Sequence, residues 1–479
     1  MATAIPTAPA QIGADGPPIV SARELPPGPR MPAPLQTLAW ALAPTWLMDR
    51  CAERLGEAFT LTFAPSGLQL VMFSDPEAVK TVFTAPPDVA PSAAGMSPIA
   101  PVVGASSVLV LTGPEHMRQR KLLLPPFHGE RMREYEDVIV EATRRDMAGW
   151  PLGSPMRLQR HTRLITLEVI LRAVFGVEAE RMQPLKRAIT ELFEPVRLPT
   201  VLRAAMSRPT GERPTGAIGR ALDRLDALIY EEIERRRGQS DVERRADILS
   251  LLLLARDEDG EAMTDDELRD ELVTLLLAGH ETTATSVAWA LERLVRHPDR
   301  LRRLVAEIDA RRAGDAGGAG DAGGEEYMTA VVNETLRVRP VVPIVVRRLT
   351  QELQVGSYRL PAGTRVVPSI YLTNRNPRVY EHAREFRPER FLADAGGRAI
   401  NSFSWIPFGG GIRRCIGASF AQLEMKVILR TMLEELEPRV PDGRRWRRGE
   451  WVRRRAITLV PAAGAQVVWE RRRPSRSAG

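Results

Sequence analysis

The chain has 479 residues, of which 44% are hydrophobic and 27% charged. That balance suits a chain that buries a large core, not a disordered or fibrous one. Its formal charge of +7 comes from 67 basic and 60 acidic residues, but the basic residues are almost all arginines scattered along the chain. With no basic stripe interleaved with aromatics, a nucleic-acid binder is not indicated. Base composition of the coding sequence, or a cationic face for an acidic protein partner, accounts for the excess.

Two cysteines, Cys51 and Cys415, cannot staple a chain of this size and read as reduced thiols. The first residues lack the basic start and apolar run of a secretory signal. The most apolar early stretch, Leu35 to Met48, is interrupted by Pro44 and is shorter than the roughly 20 residues a bilayer requires. It reads as an amphipathic or buried helix, and the chain as a cytoplasmic protein without a membrane span.

In chain order, residues 1–34 are rich in proline and alanine and read as a mobile arm. Helical periodicity follows at Glu130–Trp150, Arg160–Phe175, Pro184–Phe193, Ala217–Arg237 and Asp241–Arg256. Strand-like runs lie at Phe59–Phe63, Leu68–Phe73, Val341–Val346, Glu352–Val355, Arg365–Pro368, Ala456–Val460 and Gln466–Trp469. Ala313–Gly324, rich in glycine, reads as a surface loop, and the tail from Arg471 as loose. Long helices with a few small sheets predict a mainly α, α+β fold, with a single domain over residues 35–470.

One helix is set apart by its length. Thr264 and Glu267 form a capping box, and the apolar pattern then runs to Arg296, ahead of His297-Pro298. At 1.5 Å per residue it would span about 50 Å and cross most of the molecule. Polar residues in its middle, Ala278-Gly279-His280-Glu281-Thr282-Thr283, need a reason to be there, because buried polar groups are costly unless paired. His280-Glu281 opens a zinc pattern, but Ala284 stands where the second histidine would be. Gly417-Ala-Ser419-Phe-Ala421 misses the hydrolase elbow at its last position.

The most informative segment is Phe408-Gly-Gly-Gly-Ile-Arg-Arg-Cys415-Ile-Gly417. Its glycines allow a tight turn close to a flat object. Cys415 is expected to open a helix from Ile416 to Arg430, whose dipole and free N–H groups favour a thiolate. A thiolate is a strong axial ligand for haem iron. Phe408, Gly411, Arg413, Cys415 and Gly417 fill every fixed position of a pattern that resembles the haem-binding signature of cytochromes P-450. Glu334-Thr-Leu-Arg337 followed by Phe386-Arg-Pro-Glu-Arg390-Phe391 is similar to two further segments of that family, in the same order. Ala278 to Thr283 resembles its oxygen-activation stretch.

The resemblance implies a helix-rich cytochrome P-450 fold with haem b between the long helix and the Cys-loop helix. It further implies Cys415 as the iron ligand and a buried network of Glu334, Arg337 and Arg390 supporting the ligand loop. Glu281 and Thr282 would be the catalytic pair that routes protons. Gly279 would give dioxygen room where the helix bulges beside Ala278. The haem propionates would meet Arg413, His116, Arg120 and Arg347, and Phe408 would pack beside the sulfur. The pocket walls would come from Pro86–Thr112, Glu194–Gly216, Leu275–Thr282 and Val341–Val346. These are apolar and imply a terpenoid, fatty acid or polyketide-like substrate, with Arg197 and Arg203 as possible contacts for a carboxylate.

With no flavin or iron–sulfur segment in the chain, electrons would come from a separate ferredoxin or flavodoxin and its reductase, to a monomeric enzyme. A peroxide-driven hydroxylase or isomerase is the alternative on the same fold, and the Glu281-Thr282 pair argues against it. A non-catalytic haem sensor is the second alternative. No signalling or DNA-binding segment supports it.

Overall fold

The computed structural model describes residues 25–93, 99–127, 131–176, 179–193, 213–314, 324–393, 400–443 and 449–472. Proline and side-chain caps set its first boundaries. The stretch Leu35–Met48 is two helices, α1 (Ala33–Leu42) and α2 (Pro44–Leu55). Pro44 disfavours helical geometry at Ala43, which takes φ −146° and ψ 60°. The residues just before α1, expected to belong to a mobile arm, are anchored: Thr60 donates its N–H to Pro27 and its hydroxyl to the Pro26 carbonyl. Residues 1–24 lie outside the described residues.

The helices α3 (Pro76–Thr84), α4 (Ala100–Val103), α5 (Gly113–Leu123), α6 (Arg131–Met147), α7 (Leu158–Phe175), α8 (Ala179–Phe193) and α9 (Gly216–Arg237) follow. The expected helix Asp241–Arg256 is divided into a short 3-10 turn and α10 (Ile248–Leu254). Asp247 causes the division by capping α10, accepting the Ser250 N–H at 3.0 Å. The long helix is α11 (Asp265–Leu294), and its capping box is present on both sides: Thr264 Oγ1 accepts from Glu267 N, and Glu267 Oε2 from Thr264 N. It ends before Arg296, where the chain tightens ahead of Pro298, which opens α12 (Pro298–Ala313). Then come α13 (Glu326–Val338), α14 (Ile370–Thr373) and α15 (Ala418–Glu435).

Four small sheets flank the helices. The largest has the order β1 (Ala58–Phe63), β2 (Leu68–Phe73), β7 (Arg365–Pro368) and β4 (Arg347–Arg348), with β2 and β7 parallel. A three-stranded sheet joins β3 (Pro155–Arg157), β11 (Gln466–Arg471) and β8 (Leu436–Arg439). Two hairpins complete the set, β5 (Leu353–Val355) with β6 (Tyr358–Leu360) and β9 (Val452–Arg455) with β10 (Thr458–Pro461).

Two strand expectations and one about the tail are corrected. Val341–Val346 is irregular, because Pro343 interrupts its ladder donors; only Arg347–Arg348 pairs. Ala456 lies at φ +50° in the β9–β10 turn, so the strand begins at Thr458. The tail is not loose at its start: β11 reaches Arg471, and Arg472 pairs with Asp309 at 2.6 Å.

The main core surrounds α11, which packs against α7 and α15. A polar seam fixes the α7 face, with Thr166 and Thr162 hydroxyls donating to the carbonyls of His280 and Ala284 at 2.9 Å each. Behind the Cys-loop helix lies a fully buried charge network. Arg337 grips Glu334 through two N–H groups at 2.6 and 2.8 Å and donates to the carbonyls of Asn374, Ala383 and Glu385. Glu334 also accepts from Arg390 and from the Arg387 N–H. Glu334 and Arg337, the two groups with no exposure, are fully paired, which makes their burial tolerable. Glu334→Gln should leave Arg337 buried without its counter-charge and cost about 3–5 kcal/mol. Denaturant unfolding with haem content measured in parallel checks this: unchanged stability would make the network dispensable.

Candidate active site

The loop carrying Cys415 is folded against α3. Gly409 and Gly411 hold φ of +69° and +66°. A Cβ on Gly411 would lie 2.0 Å from the Phe83 carbonyl oxygen, and one on Gly410 would lie 2.5 Å from the Phe83 ring. Only glycine permits that approach. The Cys415 N–H donates to the Phe408 carbonyl at 3.0 Å and closes the loop, while the Phe408 ring packs edge-on to Trp405.

Cys415 does not open the helix directly, since α15 begins at Ala418 after the N-cap Gly417. The expected start at Ile416 is thus early by two residues, and the helix runs on past Arg430 to Glu435. The dipole argument survives in a different form, because the Gly417 N–H reaches the sulfur. Burial pushes the Cys415 thiol up, against that N–H and the guanidinia of Arg414 and Arg120. Cys415 is nevertheless exposed by surface area. A residue crowded by protein and still exposed opens onto an interior space. A free thiolate there is disfavoured; a bound metal ion deprotonates the thiol outright.

Around that space stands a set of cations. Burial pushes the Arg347 and Arg413 guanidinia down to about 10, and Arg347 and Arg120 add to the effect on Arg413. Burial also lowers Arg120. His116 is pushed down to about 4, first by burial and then by Arg413, Arg120 and Arg347. Among the described residues, no carboxylate pairs with Arg120, Arg347 or Arg413. Arg413 instead donates to the carbonyls of Val108, Leu109 and Leu111. Mutually repelling, half-buried cations without acids fit a cofactor that brings two carboxylates and takes a sulfur ligand. The residues present therefore suit haem.

The middle of α11 presents a second open face. Ala278 is exposed and Thr282 half-buried on a helix that is otherwise mostly buried. Thr282 Oγ1 donates to the Ala278 carbonyl at 2.6 Å. The expected bulge at Gly279 is absent, since α11 is regular through this stretch. A Cβ on Gly279 would lie 3.0 Å from Ile170 Cδ1 of α7. Glu281 is buried and turned to the opposite side, ion-paired with Arg163 at 2.7 Å and Arg455 at 3.4 Å.

Several site groups could not be read from sequence. Glu424 of α15 is buried beneath the loop and hydrogen-bonded with Thr283; burial pushes it up to about 8 against that bond. A turn of α11 holds the segment 102–111 in place. Asp270 accepts the Ser106 N–H at 2.8 Å, Glu271 the Val108 N–H at 2.7 Å, and Thr274 pairs with Ser107 at 2.7 Å. Arg269 donates to the carbonyls of Val102 and Val103. Gly104 makes the fit possible, because a Cβ would fall 2.0 Å from the Asp270 carboxylate. Of the segments expected to wall the pocket, residues 86–93, 99–112, 213–216, 275–282 and 341–346 are among the described residues. Residues 194–212, with Arg197 and Arg203, lie outside the described residues.

Glu424 has a consequence for stability. Folded, it holds its proton up to about pH 8, whereas unfolded it releases it near 4.5. Between these values the folded chain binds more protons, so this contribution to stability is lost as pH rises. Glu424→Gln cannot titrate and should flatten the fall in melting temperature between pH 5 and 8. An unchanged slope would show that the acid does not hold its proton in the folded protein.

Comparison with known proteins agrees with this geometry. The cytochrome P-450 family model matches residues 26–462. A Mycobacterium tuberculosis protein named cytochrome P-450 135B1 is 39% identical over 450 residues, covering 93% of this chain and 92% of that protein. Another from that organism, cytochrome P-450 137, is 40% identical over 431 residues, covering 90% and 86%. The solved structure of retinoic-acid-bound cyanobacterial CYP120A1 superposes with a TM-score of 0.80 at 23% identity, covering 94% of this chain and all of that one, and shows the shared fold. Together with the cysteine loop and its ring of cations, these matches establish that the chain belongs to the cytochrome P-450 family of haem monooxygenases.

Proposed function

We propose that Cys415 is the axial thiolate of haem b in an enzyme that hydroxylates or epoxidises an apolar small molecule of terpenoid, fatty-acid or polyketide-like character. The observation that carries this is the glycine-folded Cys415 loop facing cations that have no acid of their own. In this reading Arg120, Arg347 and Arg413 neutralise the propionates, and His116 donates a neutral N–H beside them. Phe408 and Gly417 shield the sulfur, while Ala278 and Gly279 border the face where dioxygen reacts. Thiolate-ligated haem supplies the electron-accepting and oxygen-activating chemistry.

The protein's own task is to control protons and water. Thr282 Oγ1 sits at the open face and can pass on the proton it now gives to the Ala278 carbonyl. Glu281 would resupply that hydroxyl, but it is ion-paired with Arg163 and Arg455 away from the open face. A side-chain swing that exchanges these partners for a water chain would admit one proton at a time. The walls 99–112 and 341–346 present Val, Pro and Ile, which bind apolar carbon without fixing it through hydrogen bonds. Electrons would arrive from an acidic ferredoxin or flavodoxin at a face bearing the exposed Arg414, with the enzyme acting as a cytoplasmic monomer.

Two measurements test this reading. Reduced protein with carbon monoxide should give the red-shifted Soret band of thiolate ligation, and Cys415→Ala should abolish it; a variant that keeps the band would sink the assignment. Thr282→Ala should retain haem and substrate binding but lower the fraction of electrons recovered in product at least about tenfold. The lost electrons should appear as peroxide, and unchanged coupling would remove Thr282 from the proton route.

A further inference from the structure

The catalytic apparatus leaves α1 unexplained. Its inner face is ordinary: Gln36 accepts the Thr62 N–H at 2.9 Å, Trp40 packs on Phe63 with centroids 5.8 Å apart, and Ala41 is buried. Its outer face is not polar, as a solvated helix face would be. Leu35, Leu38 and Leu42, spaced on one side of the helix, are 52%, 47% and 51% exposed. Trp46 at the start of α2 is 52% exposed. Helix α1 carries no charged residue at all.

A second element meets the same edge. Arg454 of β9 lies over the Trp40 ring at 5.5 Å, and Val452 packs in one core cluster with Ala39 and Trp40. The residue that leads into β9, Trp451, is 85% exposed. The rim of this face is basic. Arg30, Arg50 and Arg453 are exposed. Of the acids of α2, Asp49 is engaged by the Tyr371 hydroxyl at 3.0 Å, and Glu53 by Arg384 at 2.6 Å with Arg50 farther off at 4.0 Å.

We propose that this face docks on the surface of an anionic lipid bilayer. Leucines and tryptophans on a helix lying flat, with guanidinia beside them, match an acyl layer under phosphate headgroups. The outer face of α1 offers no hydrogen-bonding side chain to register a protein partner. No helix among the described residues is long and apolar enough to cross a membrane, so attachment is peripheral and reversible. The same core cluster contains Ile344 and Val346, so the docking face is backed by the segment expected to wall the pocket.

The test is co-sedimentation of the full-length holoenzyme with vesicles of phosphatidylcholine containing phosphatidylglycerol, and of phosphatidylcholine alone. Binding should need the anionic lipid and weaken with salt. The triple variant Leu35→Ser, Leu38→Ser, Leu42→Ser should lose more than about tenfold in partition, with its carbon-monoxide band and its turnover of a dissolved substrate unchanged. Should the triple variant lose that band, Leu38→Gln replaces it and should weaken partition in the same direction. Three outcomes overturn the proposal. The first is a wild type that stays in the supernatant with every lipid, and the second a variant that binds as the wild type does. The third is a wild-type dimer in solution that the variant splits, which makes a second copy the occupant.

Discussion

Unbalanced positive charge around Cys415 is the condition on which the arrangement of this protein depends. Arg120, Arg347 and Arg413 come from a helix, a short strand and the cysteine loop, and they converge without a carboxylate among the described residues. Like charges brought together in a partly desolvated place repel, and that cost must be met by the rest of the fold. The carbonyls of Val108, Leu109 and Leu111 offset part of it by accepting from Arg413. The remainder suits a dianionic cofactor, and under the proposed reading haem binding would offset it and so stabilise the fold.

The same logic, with its sign reversed, governs the helices on either side. Glu424 and Glu271 are buried acids held up near 8, and Glu334 is a buried acid fully met by arginines. Glu281, in the middle of α11, is a further buried acid met by arginines, paired with Arg163 and Arg455 away from the open face.

How much of this was legible in sequence follows from how local each signal is. The cysteine loop, the capping box at Thr264 and the Glu334–Arg337 pair are each written in a few consecutive residues, and all three were readable. Partners supplied from afar were not: nothing near Glu281 names Arg163 or Arg455, and nothing near Thr283 names Glu424. Strand β9 reads Val-Arg-Arg-Arg, whose charge hides its pairing with β10. The Val341–Val346 run misled in the opposite sense, because its β-branched residues suggest a ladder that Pro343 interrupts. Gly279 lies where a Cβ would meet Ile170 of α7, a neighbour that nothing beside it in the sequence names.

The clamp between α11 and the segment 102–111 has a further consequence. Four side chains within two turns of the central helix hold that wall, and Arg413 of the cysteine loop grips its other end. The wall, the helix and the ligand loop therefore form one rigid body. A lineage that reshapes the pocket at this wall would also disturb the reactive centre. Divergence in substrate choice should consequently concentrate on the walls that are not tied to α11.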